Sequence, residues 1–196
     1  MEKKQMIDSK MQGTYQKICI DPLMRLSIFR KIHPTALTAM ACLTGLCILP
    51  SLAFKLPILA LFFLFCSGFL DTLDGSVARL ENKTSNLGTV LDIVSDRIVE
   101  CAVIIGLFLV EPTVRALPTL ILLGSVLICV TSFLVVGIFT QNTSEKGFHY
   151  SPGLIERAEA FLFFALMILF PPFFIFLAYF FSFLVLLTAL LRIIPK

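Results

Sequence analysis

The sequence predicts an all-α integral membrane protein with six transmembrane helices and an N-terminal amphipathic surface helix. Of its 196 residues, 58% are hydrophobic and only 15% are charged, and phenylalanine alone occurs 20 times. Apolar runs of about 18 or more residues recur along the chain, and each is long enough to cross a bilayer as a helix. Because no polar linker or internal repeat interrupts the series, we expect residues 1–196 to form a single domain.

Residues 1–33 form a polar, basic segment before the first predicted span and are expected on the cytoplasmic side. From 21 to 32, apolar residues such as Leu26 and Phe29 stand beside Arg25 and Arg30, which is typical of a helix lying along the membrane surface. A basic flank that only sets the topology would have the same composition. Because no short apolar core follows the N-terminus directly, no cleavable signal peptide is expected.

The six spans are separated by prolines and by short polar segments. Pro34 fits the first turn of a helix, and the Pro171-Pro172 pair is expected to break the chain between the last two spans. With the N-terminus inside, most basic residues lie in cytoplasmic segments, and only the turns holding Lys55 and Arg115 lie outside. The predicted spans are 34–54, 56–80, 87–110, 116–140, 153–170 and a last one ending near 191.

Four aspartates flank the polar loop 81–86, at the facing ends of the second and third spans. Residues three or four apart share a helix face, so Asp71 and Asp74 lie on one stripe, and Asp92 and Asp96 lie on one stripe of the next helix. If the two helices form a hairpin, the four carboxylates converge.

Ionised side chains at membrane depth cost about 2.5–3.5 kcal/mol each, and four neighbouring anions also repel one another. Divalent cations such as Mg²⁺ or Mn²⁺, which prefer oxygen ligands, would remove that cost. Arg79 adds a fixed cation suited to a phosphate. Gly75, Ala78 and Gly88 leave room either for close approach of the two helices or for a ligand. Carboxylates that can bind divalent metal, together with an arginine that can bind phosphate, predict an enzyme of phosphoryl transfer.

The pattern D-x2-D-G-x2-A-R-x8-G-x3-D-x3-D, from Asp71 to Asp96, resembles position for position the signature of the CDP-alcohol phosphatidyltransferase family. The resemblance implies a phospholipid-synthesising enzyme that moves the phosphatidyl group from CDP-diacylglycerol to an alcohol and releases CMP. It also implies a homodimer in a bacterial cytoplasmic membrane. The distribution of basic residues independently places both termini and the active site on the cytoplasmic side.

The same resemblance implies roles for individual residues. Two Mg²⁺ or Mn²⁺ ions would be held by Asp71, Asp74, Asp92 and Asp96, and Asp96 would also be the general base. The segment 33–38 resembles the Pro-Asn-x-x-Thr element of the family, with Thr35 in place of Asn and with Thr38 matching. The nucleotide site would comprise Thr38, Asp74, Gly75, Ala78 and Arg79.

The acceptor is indicated less directly. Residues 153–159 resemble the GxxERAER segment of relatives that use inositol phosphate, although Ala160 replaces the second arginine. A polyol phosphate, either glycerol 3-phosphate or an inositol phosphate, is therefore expected, with Lys83, Lys146 and Arg157 as candidate acceptor ligands. An ion pair with Glu156, with Glu159 or with the acidic site is the alternative role of Arg157. The nearest relatives implied are bacterial phosphatidylglycerophosphate and phosphatidylinositol-phosphate synthases.

Other acceptors and two other classes of membrane protein share some of these sequence features. Serine, choline or a lipid hydroxyl could replace the polyol phosphate in the same reaction. An intramembrane prenyltransferase also uses aspartates and Mg²⁺, but its acidic motifs are usually separated by more chain. A carboxylate-relay ion transporter would leave Gly75 and Arg79 unexplained. The net charge of +3 does not indicate nucleic acid, and the six cysteines show no CxxC pair.

Overall fold

The computed structural model describes residues 33–81, 83–139, 155 and 157–194, and within these ranges the chain is helical with no strand. The predicted surface helix at 21–32 and the candidate ligand Lys146 lie outside the described residues. A 3₁₀ turn, Pro171–Phe173, precedes the last helix. The helices are α1 (Pro34–Leu46), α2 (Ile48–Ala53), α3 (Pro57–Leu80), α4 (Asn86–Val110), α5 (Pro112–Phe139), α6 (Arg157–Leu169) and α7 (Phe174–Ile193).

Prolines and one serine cap set where the helices begin. Pro34 and Pro57 stand at the first positions of α1 and α3, where a missing N–H has no helical partner to lose. Ser85 caps α4, since its Oγ accepts a hydrogen bond of 3.0 Å from the backbone N–H of Gly88. The break at Pro171 is confirmed by the 3₁₀ turn. These local signals placed most helix ends within a few residues.

Two helix boundaries differ from the prediction. The first predicted span is interrupted at Cys47, three residues before Pro50. Pro50 has no N–H to bond to the carbonyl of Leu46, and its ring clashes with that carbonyl. The fourth predicted span begins at Pro112 instead of 116, because proline is favoured in a first helical turn. Arg115, expected in an exposed turn, therefore lies inside α5.

Four segments among the described residues are long and apolar enough to cross a bilayer: Pro34–Ala53, Pro57–Leu80, Pro112–Phe139 and Pro171–Ile193. The other two predicted spans correspond to α4 and α6. Helix α4 is long enough, but it carries four charged residues, the last of them Glu100. Helix α6, as described, has 13 residues, which is about 20 Å of helix against about 30 Å of hydrocarbon.

Helices α3 and α4 both pack extensively on α1 and make few direct contacts with each other. A Cβ added at Gly45 of α1 would lie 2.4 Å from Cγ2 of Val99 on α4 and 2.9 Å from Oγ of Ser67 on α3. Ser67 also donates a 2.8 Å hydrogen bond to the carbonyl of Ala41. The close approach is thus made through α1. Gly75, Ala78 and Gly88 do not bring α3 and α4 into direct packing.

Arg115 links helices at the end of the bundle away from the aspartates, and its side chain is only 3% exposed. Its Nη1 donates to the carbonyl of Leu107 on α4 at 3.0 Å, and its Nη2 donates to the carbonyl of Pro171 at 3.4 Å. The guanidinium carbon lies 4.3 Å from the ring centroid of Phe174. One side chain therefore joins α4, α5 and the start of α7.

Candidate active site

Three aspartate side chains meet between α3 and α4. Asp71 and Asp74 project from α3 and Asp92 projects from α4, and one carboxylate oxygen from each lies within 4.8 Å of the other two. Asp74 is 6% exposed, whereas Asp71 and Asp92 are half-buried. The two stripes inferred from helical spacing therefore converge, although the helices that carry them are held apart by α1.

Asp96 joins this group through Arg157, the first residue of α6. The Nη1 atom of Arg157 lies 2.5 Å from Oδ2 of Asp71, and its Nη2 forms an ion pair with Oδ1 of Asp96. One guanidinium thus bridges a carboxylate of α3 and a carboxylate of α4. Of the three ion-pair partners expected in the alternative role of Arg157, the acidic site is the one that it contacts through these two pairs.

Contacts of α6 with its neighbours place Arg157 over the acids. A Cβ added at Gly68 of α3 would lie 2.8 Å from the ring of Phe161, so the glycine lets α6 approach α3 closely. The backbone N–H of Ile155 donates a 3.0 Å hydrogen bond to Oγ1 of Thr188 on α7. The start of α6 is therefore anchored on two sides.

Thr38 of α1 contacts Asp74 directly. Its Oγ1 lies 2.5 Å from Oδ2 of Asp74 and 3.2 Å from the carbonyl of Pro34, and the threonine is 6% exposed. A hydroxyl has only one proton to donate. The carboxylate of Asp74 is both nearer than the Pro34 carbonyl and the stronger acceptor, so it receives that proton. Sequence analysis had assigned Thr38 to the nucleotide and had not found this contact, which joins residues 36 positions apart.

The remaining predicted ligands surround the end of α3. Arg79 is exposed, and its Nη2 donates to Oγ of Ser76 at 3.4 Å. A Cβ at Gly75 would meet the Arg79 guanidinium at 3.4 Å and nothing nearer, so space remains on that face. Ala78 is half-buried, and Lys83 is exposed in the loop before α4. Gly75, Ala78 and Arg79 follow Asp74 within the last two turns of α3.

Asp96 also has a second basic neighbour that sequence analysis did not assign. Nη2 of Arg97 lies 3.8 Å from Oδ2 of Asp96, while its Nη1 lies 2.6 Å from Oε2 of Glu100. The spacing of Arg97 and Glu100, three residues apart on one helix, was the available signal for their pairing. The pair keeps Arg97 turned mainly toward Glu100.

The donor set fits a hard divalent cation. The ligand atoms available from Asp71, Asp74 and Asp92 are all carboxylate oxygens close enough to share one ion, the coordination that Mg²⁺ and Mn²⁺ prefer. Partial burial makes mutual repulsion of the three acids costly without a cation. The arrangement therefore suits metal-assisted chemistry on a phosphate ester.

Comparison with known proteins agrees with this chemistry. The family model for CDP-alcohol phosphatidyltransferase matches residues 31–194. The "Inner membrane protein YnjF" of Escherichia coli is 33% identical over 150 residues, which cover 73% of this chain and 72% of that protein. The "Bifunctional IPC transferase and DIPP synthase" of Archaeoglobus fulgidus is 29% identical over 106 residues, 54% of this chain but only 21% of that longer protein.

A solved structure shares the fold. The phosphatidylinositol phosphate synthase PgsA1 of Mycobacterium tuberculosis, crystallised with CDP-DAG bound, superposes with a TM-score of 0.69 at 18% identity, covering 95% of this chain and 91% of that one. At this identity the likeness is evidence of fold alone, whereas the family model spans nearly the whole chain. This protein therefore belongs to the CDP-alcohol phosphatidyltransferase family and is a membrane enzyme of that class.

Proposed function

We propose that this protein transfers the phosphatidyl group from CDP-diacylglycerol to a polyol phosphate, either glycerol 3-phosphate or an inositol phosphate, and releases CMP. The observation that carries the proposal is the meeting of Asp71, Asp74 and Asp92 within 4.8 Å, with Asp96 linked to them through Arg157. Family membership supports the reaction class.

Asp71, Asp74 and Asp92 would hold two Mg²⁺ or Mn²⁺ ions, with Asp96 beside them. When bound, such ions neutralise the pyrophosphate and the charge on the leaving phosphate. Thr38 holds the carboxylate of Asp74 in one orientation through its 2.5 Å hydrogen bond. Since outer-sphere contacts of this kind orient metal ligands, the threonine serves the site even if it does not touch nucleotide.

The protein's side chains would then carry the substrates and the proton. Arg79 binds the phosphates of the nucleotide, and Gly75 and Ala78 leave room for it along α3. Asp96 takes the proton of the acceptor hydroxyl, whose oxygen attacks the phosphorus that bears the diacylglycerol group. The bond from that phosphorus to the CMP oxygen breaks, and CMP leaves.

The acceptor is proposed from its charge. Arg157 stands at the edge of the carboxylate group with its side chain 39% exposed, and Lys83 is exposed in the neighbouring loop. Together with Lys146, these cations would bind the phosphate of the acceptor. One structural neighbour, PgsA1, is named a phosphatidylinositol phosphate synthase. Its name favours a phosphorylated polyol over serine or choline.

We further propose that residues 1–196 form one domain with six spans, a surface helix before the first span, and the active site and both termini in the cytoplasm. Helix α4, with 25 residues, is about 37 Å long, and its charged residues all lie toward the end that carries the aspartates. A homodimer in the bacterial inner membrane is part of the same proposal, and the name of the E. coli relative supports the location.

The test is CMP release from CDP-diacylglycerol by purified protein, with glycerol 3-phosphate, inositol 1-phosphate, serine and choline supplied separately. We expect release to require Mg²⁺ or Mn²⁺ and one of the phosphorylated acceptors, and Asp96→Asn to abolish it. Glu111→Gln, which changes charge equally at an exposed position before α5, is the control and should retain activity. CMP release with serine or choline alone would contradict the proposed polyol-phosphate acceptor. Metal-dependent turnover of a prenyl pyrophosphate would contradict the proposed phosphatidyl transfer.

A further inference from the structure

The guanidinium of Arg157 contacts two of the four aspartates proposed to hold the metal. It lies 2.5 Å from Oδ2 of Asp71 and is paired with Oδ1 of Asp96. We infer that Arg157 acts as an internal counter-ion of these two carboxylates and competes with divalent cations for them. This inference rests on the proposed function, because it takes these aspartates as the place where cations bind.

The contacts of the neighbouring arginines explain why Arg157 has this role. Arg97 is committed to Glu100 at 2.6 Å and comes no nearer than 3.8 Å to Asp96, and Arg79 donates to Ser76. Arg157 alone among these three arginines reaches acids on both α3 and α4. Asp71 and Asp96 are only 11% and 14% exposed, so solvent compensates their charge poorly once the guanidinium leaves.

Cation binding should release Arg157. A divalent ion held by Asp71 and Asp96 would supply the positive charge that the guanidinium now supplies to these carboxylates, and it would repel the arginine. Arg157 is the first residue of α6 and is 39% exposed, so its side chain can turn outward without disturbing the helix. Released in this way, it becomes available to an anionic acceptor. Metal would therefore load before the acceptor phosphate binds.

The test is Mn²⁺ affinity, measured by electron paramagnetic resonance on the purified full chain without nucleotide. We expect Arg157→Met to bind Mn²⁺ about fivefold more tightly than the wild type, a change typical of losing one competing ion pair. Arg157→Lys keeps the charge but lacks the planar guanidinium fork, so the Mn²⁺ affinity of this variant should lie between those of the wild type and Arg157→Met. Arg192→Met is the control and should bind as the wild type does, since Arg192 donates to the carbonyl of Cys129 on α5.

A melting experiment provides the second readout. Without metal, Arg157→Met should melt below the wild type, and added Mn²⁺ should raise its melting temperature by more than it raises that of the wild type. If both Arg157 variants bind Mn²⁺ no more tightly than the wild type, Arg157 does not compete with the cation. The proposed function would stand in that case, because the wild type would still bind metal. Absence of Mn²⁺ binding in every variant would overturn both.

Discussion

Replacing Thr38 by valine tests whether the threonine acts by holding Asp74. Valine keeps the shape of the side chain but removes the hydroxyl, whose Oγ1 lies 2.5 Å from Oδ2 of Asp74 and 3.2 Å from the carbonyl oxygen of Pro34. The Pro34 carbonyl belongs to the first turn of α1, where a backbone N–H one turn further along the helix can donate to it. The loss therefore falls mainly on the carboxylate of Asp74.

The size of the effect follows from burial and charge. Thr38 and Asp74 are each 6% exposed, so water does not readily replace the lost donor. A hydrogen bond to a charged group contributes about 1.5–3 kcal/mol, so we expect the free energy of unfolding to fall by about 2 kcal/mol. Because Asp74 would no longer be fixed in orientation, Mn²⁺ affinity should fall by about tenfold, as is typical when an outer-sphere partner of a metal ligand is removed.

Unfolding in detergent and Mn²⁺ binding without nucleotide are the two measurements. Thr38→Ser, which keeps the hydroxyl and loses only the methyl group, is the matched control and should keep most of the metal affinity. If Thr38 instead acts only by contacting the nucleotide, Thr38→Val would raise the KM for CDP-diacylglycerol and leave metal affinity unchanged. That result, with unaltered stability, would refute the reasoning from the hydrogen bond.

Two further substitutions test how the bundle supports the site. Arg115→Met should lower the free energy of unfolding by about 2 kcal/mol, because it leaves the buried carbonyl of Leu107 without this donor. The site at Asp96, about 16 Å along α4 from Leu107, should keep its activity per folded molecule. Melting and CMP release check this, and a large loss of activity without loss of stability would contradict it. Gly45→Ala places a methyl group 2.4 Å from Val99 and should cost about 1–3 kcal/mol. Val99→Ala in the double variant should restore part of this stability, since the contact with Oγ of Ser67 at 2.9 Å remains. Equal melting temperatures of the single and double variants would contradict the proposed clash.

The sequence by itself determined the features that depend on local geometry. Helical spacing of three and four residues placed Asp71 with Asp74, and Asp92 with Asp96, before any tertiary contact was known. Prolines indicated where helices begin, because the missing N–H and the ring of proline act within one helical turn. The break that Pro50 causes in the first span was not predicted. The acidic pattern was also specific enough to indicate the family, which the match over residues 31–194 confirms.

Tertiary structure decided which distant side chains complete the site. Arg157 is 61 residues from Asp96, and Thr38 is 36 residues from Asp74, and no periodicity links positions so far apart. The packing of α3 and α4 on α1 through Gly45, in place of direct contact with each other, likewise depends on how whole helices are arranged. Local spacing fixes the face on which a residue lies, but only the packed bundle decides which other face it meets.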